Sequence, residues 1–337
     1  MPIDKHKGKD DVCYTGSKLL RANIWEPQFD QNTFFGRSRH YFKLCNPMNF
    51  FSAERRLEHA RKIMERYRKG DPMDDVSMYQ LWKAKYLYDS TFDRYTDDKM
   101  FLPGRPAAFV PMTALIGGGM LTYYQSAAPI IFWQWAFQTL QLAIHYTARS
   151  PNSKVTDKQL VIGYGAGTLA AVSTALLYHT AFKCFAPITS RMGPALAAVV
   201  GTCVTVPFTR YNDIEDGIVI YDNKDKKLAY STVAAKYSVL LDTLKHALVV
   251  APPLVAAPFY MEYLEERGTL CRYPYLTLPN QMLFLALFCT FLTPLFRAIV
   301  SDRASMPFDR LQPELQNCIT KRGADPPPRR VFFDLGL

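Results

Sequence analysis

The chain has 337 residues, 49% of them hydrophobic, with 40 Lys and Arg against 30 Asp and Glu and a formal net charge of +10. A basic surplus can neutralise phosphates. Here, however, basic side chains alternate with acidic ones, as in Glu54-Arg55-Arg56 and Glu65-Arg66, and build no base-reading motif, so nucleic acid is not expected as a partner. The cysteines (Cys13, Cys45, Cys184, Cys203, Cys271, Cys289, Cys318) include no Cys-x-x-Cys pair, which argues against a secreted disulfide framework and a zinc site. Cys184, Cys203 and Cys289 lie in or beside apolar segments and read as small hydrophobes. No Asn-x-Ser/Thr acceptor occurs.

The opening MPIDKHKGKDDVCYTG has no apolar signal core, and Asp4, Asp10 and Asp11 break the acid-poor pattern of a transit peptide, so targeting is expected from internal segments. Residues 1–50 read as irregular, with Trp25, Phe29, Phe34, Phe35, Tyr41 and Phe42 as aromatic anchors beside Arg37, Arg39 and His40. A helix is predicted from an N-cap at Ser52, with Leu57, Met64 and Tyr67 on one side, to a stop at Gly70 and Pro72. A second amphipathic helix follows Asp75, with Tyr79, Trp82 and Tyr86 on its stripe. Both helices need a partner surface, and the first is expected to pack on the membrane portion of the chain.

The composition changes after Arg105, which closes a basic N-terminal region over 1–105. Candidate membrane spans run 106–125, 127–147, 160–181, 193–209, 246–264 and 279–300, near the roughly 17–25 residues needed to cross hydrocarbon. Pro194 and Pro207 bound a short segment that reads as broken or tilted. Pro252, Pro253 and Pro258 fall in another, where neighbouring helices must satisfy the freed carbonyls. The fold class is therefore all-α: a polytopic membrane bundle of five to six transmembrane segments over 106–300, preceded by an amphipathic soluble helical region and followed by a tail over 301–337.

Basic residues orient it. The 148–159 loop carries Arg149, Lys154 and Lys158, and the soluble 210–245 loop carries Arg210, Lys224, Lys226, Lys227, Lys236 and Lys245. The opposite connections hold only Lys183, Arg191, Arg267 and Arg272. With six crossings, the N-terminal region and the basic loops share the positive-inside compartment; with five, the tail changes sides. Within 210–245 a short hairpin is predicted, Ile218–Tyr221 and Leu228–Tyr230 around a turn near Asn223. Pro326-Pro327-Pro328-Arg329-Arg330 reads as extended.

The 132–147 segment is the most informative. Gln134, Gln138, Gln141 and His145 are spaced i, i+4, i+7 and i+11, which at about 100° per residue places them in one stripe. Polar groups inside a membrane face a bundle interior or a wet cavity. A row of amides and an imidazole can therefore bind a polar solute along a water-lined passage. It can equally bond helix to helix, for about 0.6 kcal/mol per pair. Arg149 and Arg210 stand at helix ends, placed either to snorkel or to contact substrate. Gly163-Tyr164-Gly165-Ala166-Gly167 and Gly117-Gly118-Gly119 lie inside apolar spans and read as close helix packing. Tyr178 and His179 read as boundary residues. No Ser-His-Asp order, metal-spaced carboxylates or Walker loop occurs, so neither an enzyme nor a cofactor or metal is expected.

Thr33-Phe34-Phe35-Gly36-Arg37 with Arg39-His40, Asn46-Pro47-Met48-Asn49, the Trp82–Ser90 helix ending Tyr88-Asp89-Ser90, Phe132-Trp133-Gln134-Trp135 with Gln138, and Tyr146-Thr147-x-Arg149 together resemble the sideroflexin family. So do Cys203-Val204-x-Val206-Pro207 with Arg210, Gly217-Ile218-Val219, Leu311-x-Pro313-Glu314-Leu315 and the terminal Phe332-Phe333-x-x-Gly336-Leu337. The likeness runs from about Trp25 to Leu337. It implies a multi-pass carrier of the mitochondrial inner membrane that moves a small neutral amino acid, most of all serine for one-carbon metabolism. The lipid bilayer and the amino acid would be its partners, with Gln134, Gln138, Gln141, His145, Arg149 and Arg210 as candidate substrate contacts. A tricarboxylate would call for several buried Arg or Lys, whereas charge in these spans is confined to helix ends and Arg297. The chain departs from the family at Asp93–Met100, where the family has His-Pro-Asp-Thr-Gly-Glu-Lys-Met. It departs again where family Asn positions have become Phe137, Gln141, His145 and Ala148. The alternative the resemblance allows is a transport-silent scaffold or assembly protein of a respiratory-chain complex.

Overall fold

The computed structural model describes residues 23, 24, 26–71, 75–93, 96–149, 155–182, 187–223, 226–321 and 329–335. The N-terminal sixteen residues, Cys13, Trp25, Lys154, Lys183, Cys184, Lys224, Pro326–Pro328 and the terminal Gly336-Leu337 lie outside them.

Three helices precede the membrane portion. Helix α1 (Phe34–Leu44) starts where the Thr33 hydroxyl accepts a hydrogen bond from the Gly36 amide at 3.1 Å. The segment expected to be irregular thus contains a helix, whose cap signal was masked by the surrounding aromatics. Helix α2 (Glu54–Lys69) is capped by Ala53 rather than Ser52, whose hydroxyl bonds the Met48 carbonyl instead. It ends at Gly70, whose φ of 87° is the left-handed conformation that stops a helix. Helix α3 (Met78–Asp89) opens with a reciprocal capping box between Ser77 and Gln80. Its buried face is Leu81, Ala84, Lys85 and Tyr88, with Tyr86 beside it, while Tyr79 is exposed and Trp82 only half-buried. The apolar face of α2 (Leu57, Ala60, Ile63, Met64) packs against α3 and Phe92, not against the membrane helices as expected. Helix α1 makes that link: Arg37 Nε donates to the Ala298 carbonyl at 2.9 Å.

The apolar portion forms helices α4 (Phe109–Thr122), α5 (Ala127–Ala148), α6 (Asp157–Phe182) and α7 (Pro187–Thr209), then a short α8 (Tyr211–Asp216). Strands β1 (Ile218–Tyr221) and β2 (Lys227–Ser231) follow, then α9 (Thr232–Glu266), α10 (Thr269–Arg272) and α11 (Thr277–Ile299). Among the described residues, four helices are long and apolar enough to cross a membrane: α6, α7, α9 and the helical stretch ending in α11. The expected 106–125 span is shorter, because Pro106–Ala108 is a separate 3-10 turn before the 14-residue α4. Helix α5 has 22 residues, but its amide row lowers its hydropathy. The two proline-bearing segments are longer than expected. Helix α7 runs unbroken through Pro194 and Pro207, and α9 continues for 35 residues through Pro252, Pro253 and Pro258. Residues 232–245 therefore belong to a helix and not to a loop.

End-to-end contacts give the order of travel. Thr147 near the end of α5 donates to the Gly104 carbonyl before α4. Tyr178 near the end of α6 donates to the Thr189 carbonyl at the start of α7. Arg191 at the start of α7 pairs with Glu265 at the end of α9 at 2.6 Å. Lys245 on α9 meets Asp302 just past α11. Six helices thus alternate in direction.

On α6, Gly163, Gly167, Ala171 and Ala175 are buried at four-residue spacing, while Ile162, Leu169 and Leu177 are exposed. An added Cβ on Gly167 would lie 1.9 Å from Thr205 Oγ1, and one on Gly163 2.4 Å from Thr209 Cγ2, so α6 and α7 meet along small residues. Gly165 has nothing within 4 Å and takes no part in that packing. The exposed rows, continued by Leu283, Leu287 and Phe291 on α11, are costly in water but match acyl chains. The chain is a multi-pass helical membrane protein.

The tail also folds. Strand β3 (Arg303–Pro307), helix α12 (Pro313–Lys321) and strand β4 (Arg330–Asp334) follow α11. Strand β4 pairs with β3 and with β1, giving one sheet in the order β2-β1-β4-β3. Its core is Ile220, Met306, Phe308, Val331 and Phe333. Hairpin and tail share one sheet, so they lie on the same side of the membrane, with α9 and α11 between them.

Candidate functional site

Helix α5 carries the predicted stripe into the bundle. Gln134, Gln138, Gln141 and His145 are 0%, 1%, 4% and 1% exposed, whereas Phe132, Trp135 and Tyr146 on the other faces are exposed. The stripe meets α7 and α9. Gln134 Nε2 donates to the Pro194 carbonyl at 3.0 Å, and Thr205 Oγ1 donates to Gln138 Oε1 at 3.4 Å. Gly201 makes the approach possible, since an added Cβ there would lie 2.2 Å from Gln138 Nε2. Gln134 Oε1, Gln138 Nε2 and His145 Nε2 are buried and make no hydrogen bond among the described residues. The seam therefore combines helix-to-helix bonds with acceptors and donors left over, at a depth where an unmade hydrogen bond costs about 1–3 kcal/mol.

At its basic-loop end the stripe runs into charges that the sequence reading missed. The His145 ring lies 5.1 Å from the ring of His246 on α9. His246 Nδ1 lies 2.9 Å from the Asp242 carbonyl and 3.3 Å from Asp242 Oδ1. Asp242 Oδ2 accepts from Arg210 at 3.2 Å. Asp242 and His246 are i and i+4 on one helix; the sequence pattern puts the first in a soluble loop and the second at the edge of an apolar segment.

The two arginines are not part of the stripe. Arg149 lies at the end of α5, pairing with Asp157 at 2.6 Å, bonding the Val155 carbonyl and covering the Tyr146 ring. Arg210 is 1% exposed and does not snorkel. It donates to Asp213 at 2.9 Å, to Asp242, to Ser238 at 3.2 Å and to the Leu335 carbonyl. Its donors are taken up in tying the end of α7 to α9 and to the C-terminal strand. Tyr178 and His179 line a small cleft at the opposite end of the bundle with Tyr124, Ser190 and Gly193.

The family model described as Sideroflexins matches residues 23–337. Sideroflexin-1-3 of Drosophila melanogaster is 36% identical over 322 residues, covering 95% of this chain and all of that protein. The chain belongs to the sideroflexin family. Human Sideroflexin-1 is 36% identical over 323 residues and human Sideroflexin-3 34% over 322, each covering 96% of this sideroflexin and the whole of the relative. No solved structure matches it. Among its described residues, no group of three or more His, Cys, Asp or Glu side chains could hold a metal ion. The chemistry on offer is hydrogen bonding by neutral amides, next to one charged cluster.

Proposed function

We propose that this sideroflexin carries a small neutral amino acid, serine above all, across the mitochondrial inner membrane. The observation that carries the reading is the row of buried polar atoms on α5 that the fold leaves without partners: Gln134 Oε1, Gln138 Nε2 and His145 Nε2. Neutral amides offer donors and acceptors without net charge, which suits a zwitterion with a hydroxyl better than a polyanion. Movement of α7 and α9 against α5 would open the seam from either end, in the manner of alternating access around a midplane site. The Arg191–Glu265 pair closes one end, and the Arg210 cluster closes the other. Uptake of labelled serine by liposomes holding the purified protein tests this. We expect uptake well above that of empty liposomes and its loss in Gln138→Leu; wild-type uptake equal to empty liposomes overturns the proposal.

A second reading, a transport-silent scaffold docked on a respiratory complex, draws on the bonds that hold the seam shut, Gln134 to Pro194 and Thr205 to Gln138. Stoichiometric co-purification with such a complex, together with absent uptake, would favour it.

A further inference from the structure

His145, His246 and Asp242 bring two imidazoles and a carboxylate together inside the bundle, where the amide row of α5 meets the polar end of α9. We propose that this cluster is a proton-binding site, and that the proton it holds is linked to movement of the solute along the adjoining stripe. The linkage rests on the carrier reading; the site does not.

The geometry fixes where the protons are. His246 Nδ1 lies 2.9 Å from the Asp242 carbonyl, which can only accept, so Nδ1 carries a hydrogen and Nε2 is the nitrogen left free to take one up. His145 Nε2 is buried without a partner. Two imidazoles in ring contact do not both take a charge, because like charges at that distance repel strongly in a medium of low dielectric constant. The pair therefore resists a second proton once it holds one. Asp242 lies beside the pair, but its charge is already shared with Arg210.

The surrounding charges leave this role to the pair. At the α7–α8 corner, Arg210 is bound by Asp213 and Asp242. On the next face of α9, Lys245 is bound by Asp302 beside Tyr41 of α1. Arg149 on α5 is bound by Asp157 of α6. Arg297 of α11 lies over the Phe109 ring. With both imidazoles neutral, Arg210, Lys245 and Arg297 balance Asp213, Asp242 and Asp302, so each captured proton is an uncompensated charge next to Gln141. A proton held there changes what the stripe can bind, which is the physical requirement for coupling.

Ring-labelled histidine in the full-length protein, held in lipid nanodiscs, tests the site by nitrogen NMR. The chain has six histidines, and His145→Asn and His246→Gln assign the two signals. In the wild type we expect both rings to titrate as one system, in two separated steps. In each single variant the remaining ring should take up its proton at a midpoint moved by about one pH unit, the coupling at which two sites titrate as a pair. Rings titrating independently, or neither taking a proton down to about pH 5, overturn the proposal; the wild-type curve decides this even if a variant fails to fold. In serine-loading liposomes, an imposed proton gradient should raise wild-type uptake several-fold, and His246→Gln should remove that response. Uptake indifferent to the gradient overturns the linkage. Coupled rings with no uptake at any pH would defeat the carrier reading while the site stands.

Discussion

A Cβ on Gly201 would lie 2.2 Å from Gln138 Nε2 and 2.8 Å from the Ala171 Cβ, so this residue sets how closely α7 approaches both α5 and α6. Gly201→Ala is expected to lower the melting temperature, since overpacking costs about 1–3 kcal/mol, and to reduce serine uptake by displacing Gln138. Gly165→Ala, with open space around it, should melt no lower than wild type. Equal melting of the two variants would show that the seam is looser than its geometry. Asp97 raises a different question, because its φ of 59° falls at the position where the family motif has Gly. Asp tolerates that conformation better than most residues, and two contacts hold it: the Tyr88 hydroxyl donates to it and Arg68 pairs with it at 2.5 Å. Burial pushes the Asp97 carboxyl up, but the bonds from Tyr88 and Arg68 outweigh burial and hold it below the usual range. Burial and the bond to Asp97 push Tyr88 up to about 12. A folded value above the unfolded one gives stability that is complete below about pH 10 and fades as pH rises through about 12. Asp97 works oppositely, its contribution being lost as pH falls below the ordinary carboxylate range of about 4. Melting of the wild type followed from pH 8 to 12 should therefore decline at the alkaline end, and Tyr88→Phe should flatten that decline. An unchanged slope in the variant would assign the loss to other groups. The departure of Asp93–Met100 from the family motif was legible; that a carboxylate replaced the glycine with its own anchors was not, because Arg68 lies on α2, 29 residues earlier in the chain.

At the scale of elements, local signals were readable and distant pairings were not. The β1–β2 hairpin could be read because its strands flank their own turn, and α2 because its apolar period and Gly70 sit within one segment. The C-terminal strand could not, since Tyr221 of β1 meets Phe332 of β4 across more than a hundred residues. The polar Pro-rich stretch before it suggested an extended tail. The length of α9 was hidden for a related reason. Its first turns hold Lys236, Asp242 and Lys245, so an apolar window starts only near His246, and the charged cluster stayed out of view. The sheet yields a prediction of its own. Phe333 is fully buried against Tyr237 of α9 and the hairpin core, so Phe333→Ala should cost about 3–5 kcal/mol of local stability. If tail and hairpin are one cooperative unit, hydrogen exchange in that variant should speed up together in Ile218–Tyr221 and Arg303–Pro307. Faster exchange confined to the tail would show two separable pieces.

For the whole molecule, the decisive feature is parity. Helix α1 is bonded to the end of α11 through Arg37 and Ala298, and Lys245 at the polar end of α9 is bonded to Asp302. The hairpin shares a sheet with the tail. The N-terminal helices, the end of α5 with the start of α6, the hairpin and the tail therefore face one compartment, and Tyr124, Arg191, Glu265 and the α10 turn face the other. Lys158, Lys226, Lys227 and Lys236 lie on the first side, against Arg191, Arg267 and Arg272 on the second. The positive-inside bias then assigns the first side to the matrix if the membrane is the mitochondrial inner one. Hydropathy alone left the number of crossings open, because α4 is short and the amide row lowers the hydropathy of α5. The contacts between helix ends supply what hydropathy could not. Tyr230 and Tyr275 are both exposed and fall on opposite sides by this arrangement. With the native cysteines replaced by Ala, a membrane-impermeant maleimide added to intact mitoplasts should label Tyr275→Cys and leave Tyr230→Cys untouched, and inverted vesicles should reverse the pattern. Labelling of both positions from one face would break the six-helix arrangement. A clean exchange of the two would keep the arrangement and reverse its orientation, placing the proposed proton site near the opposite compartment.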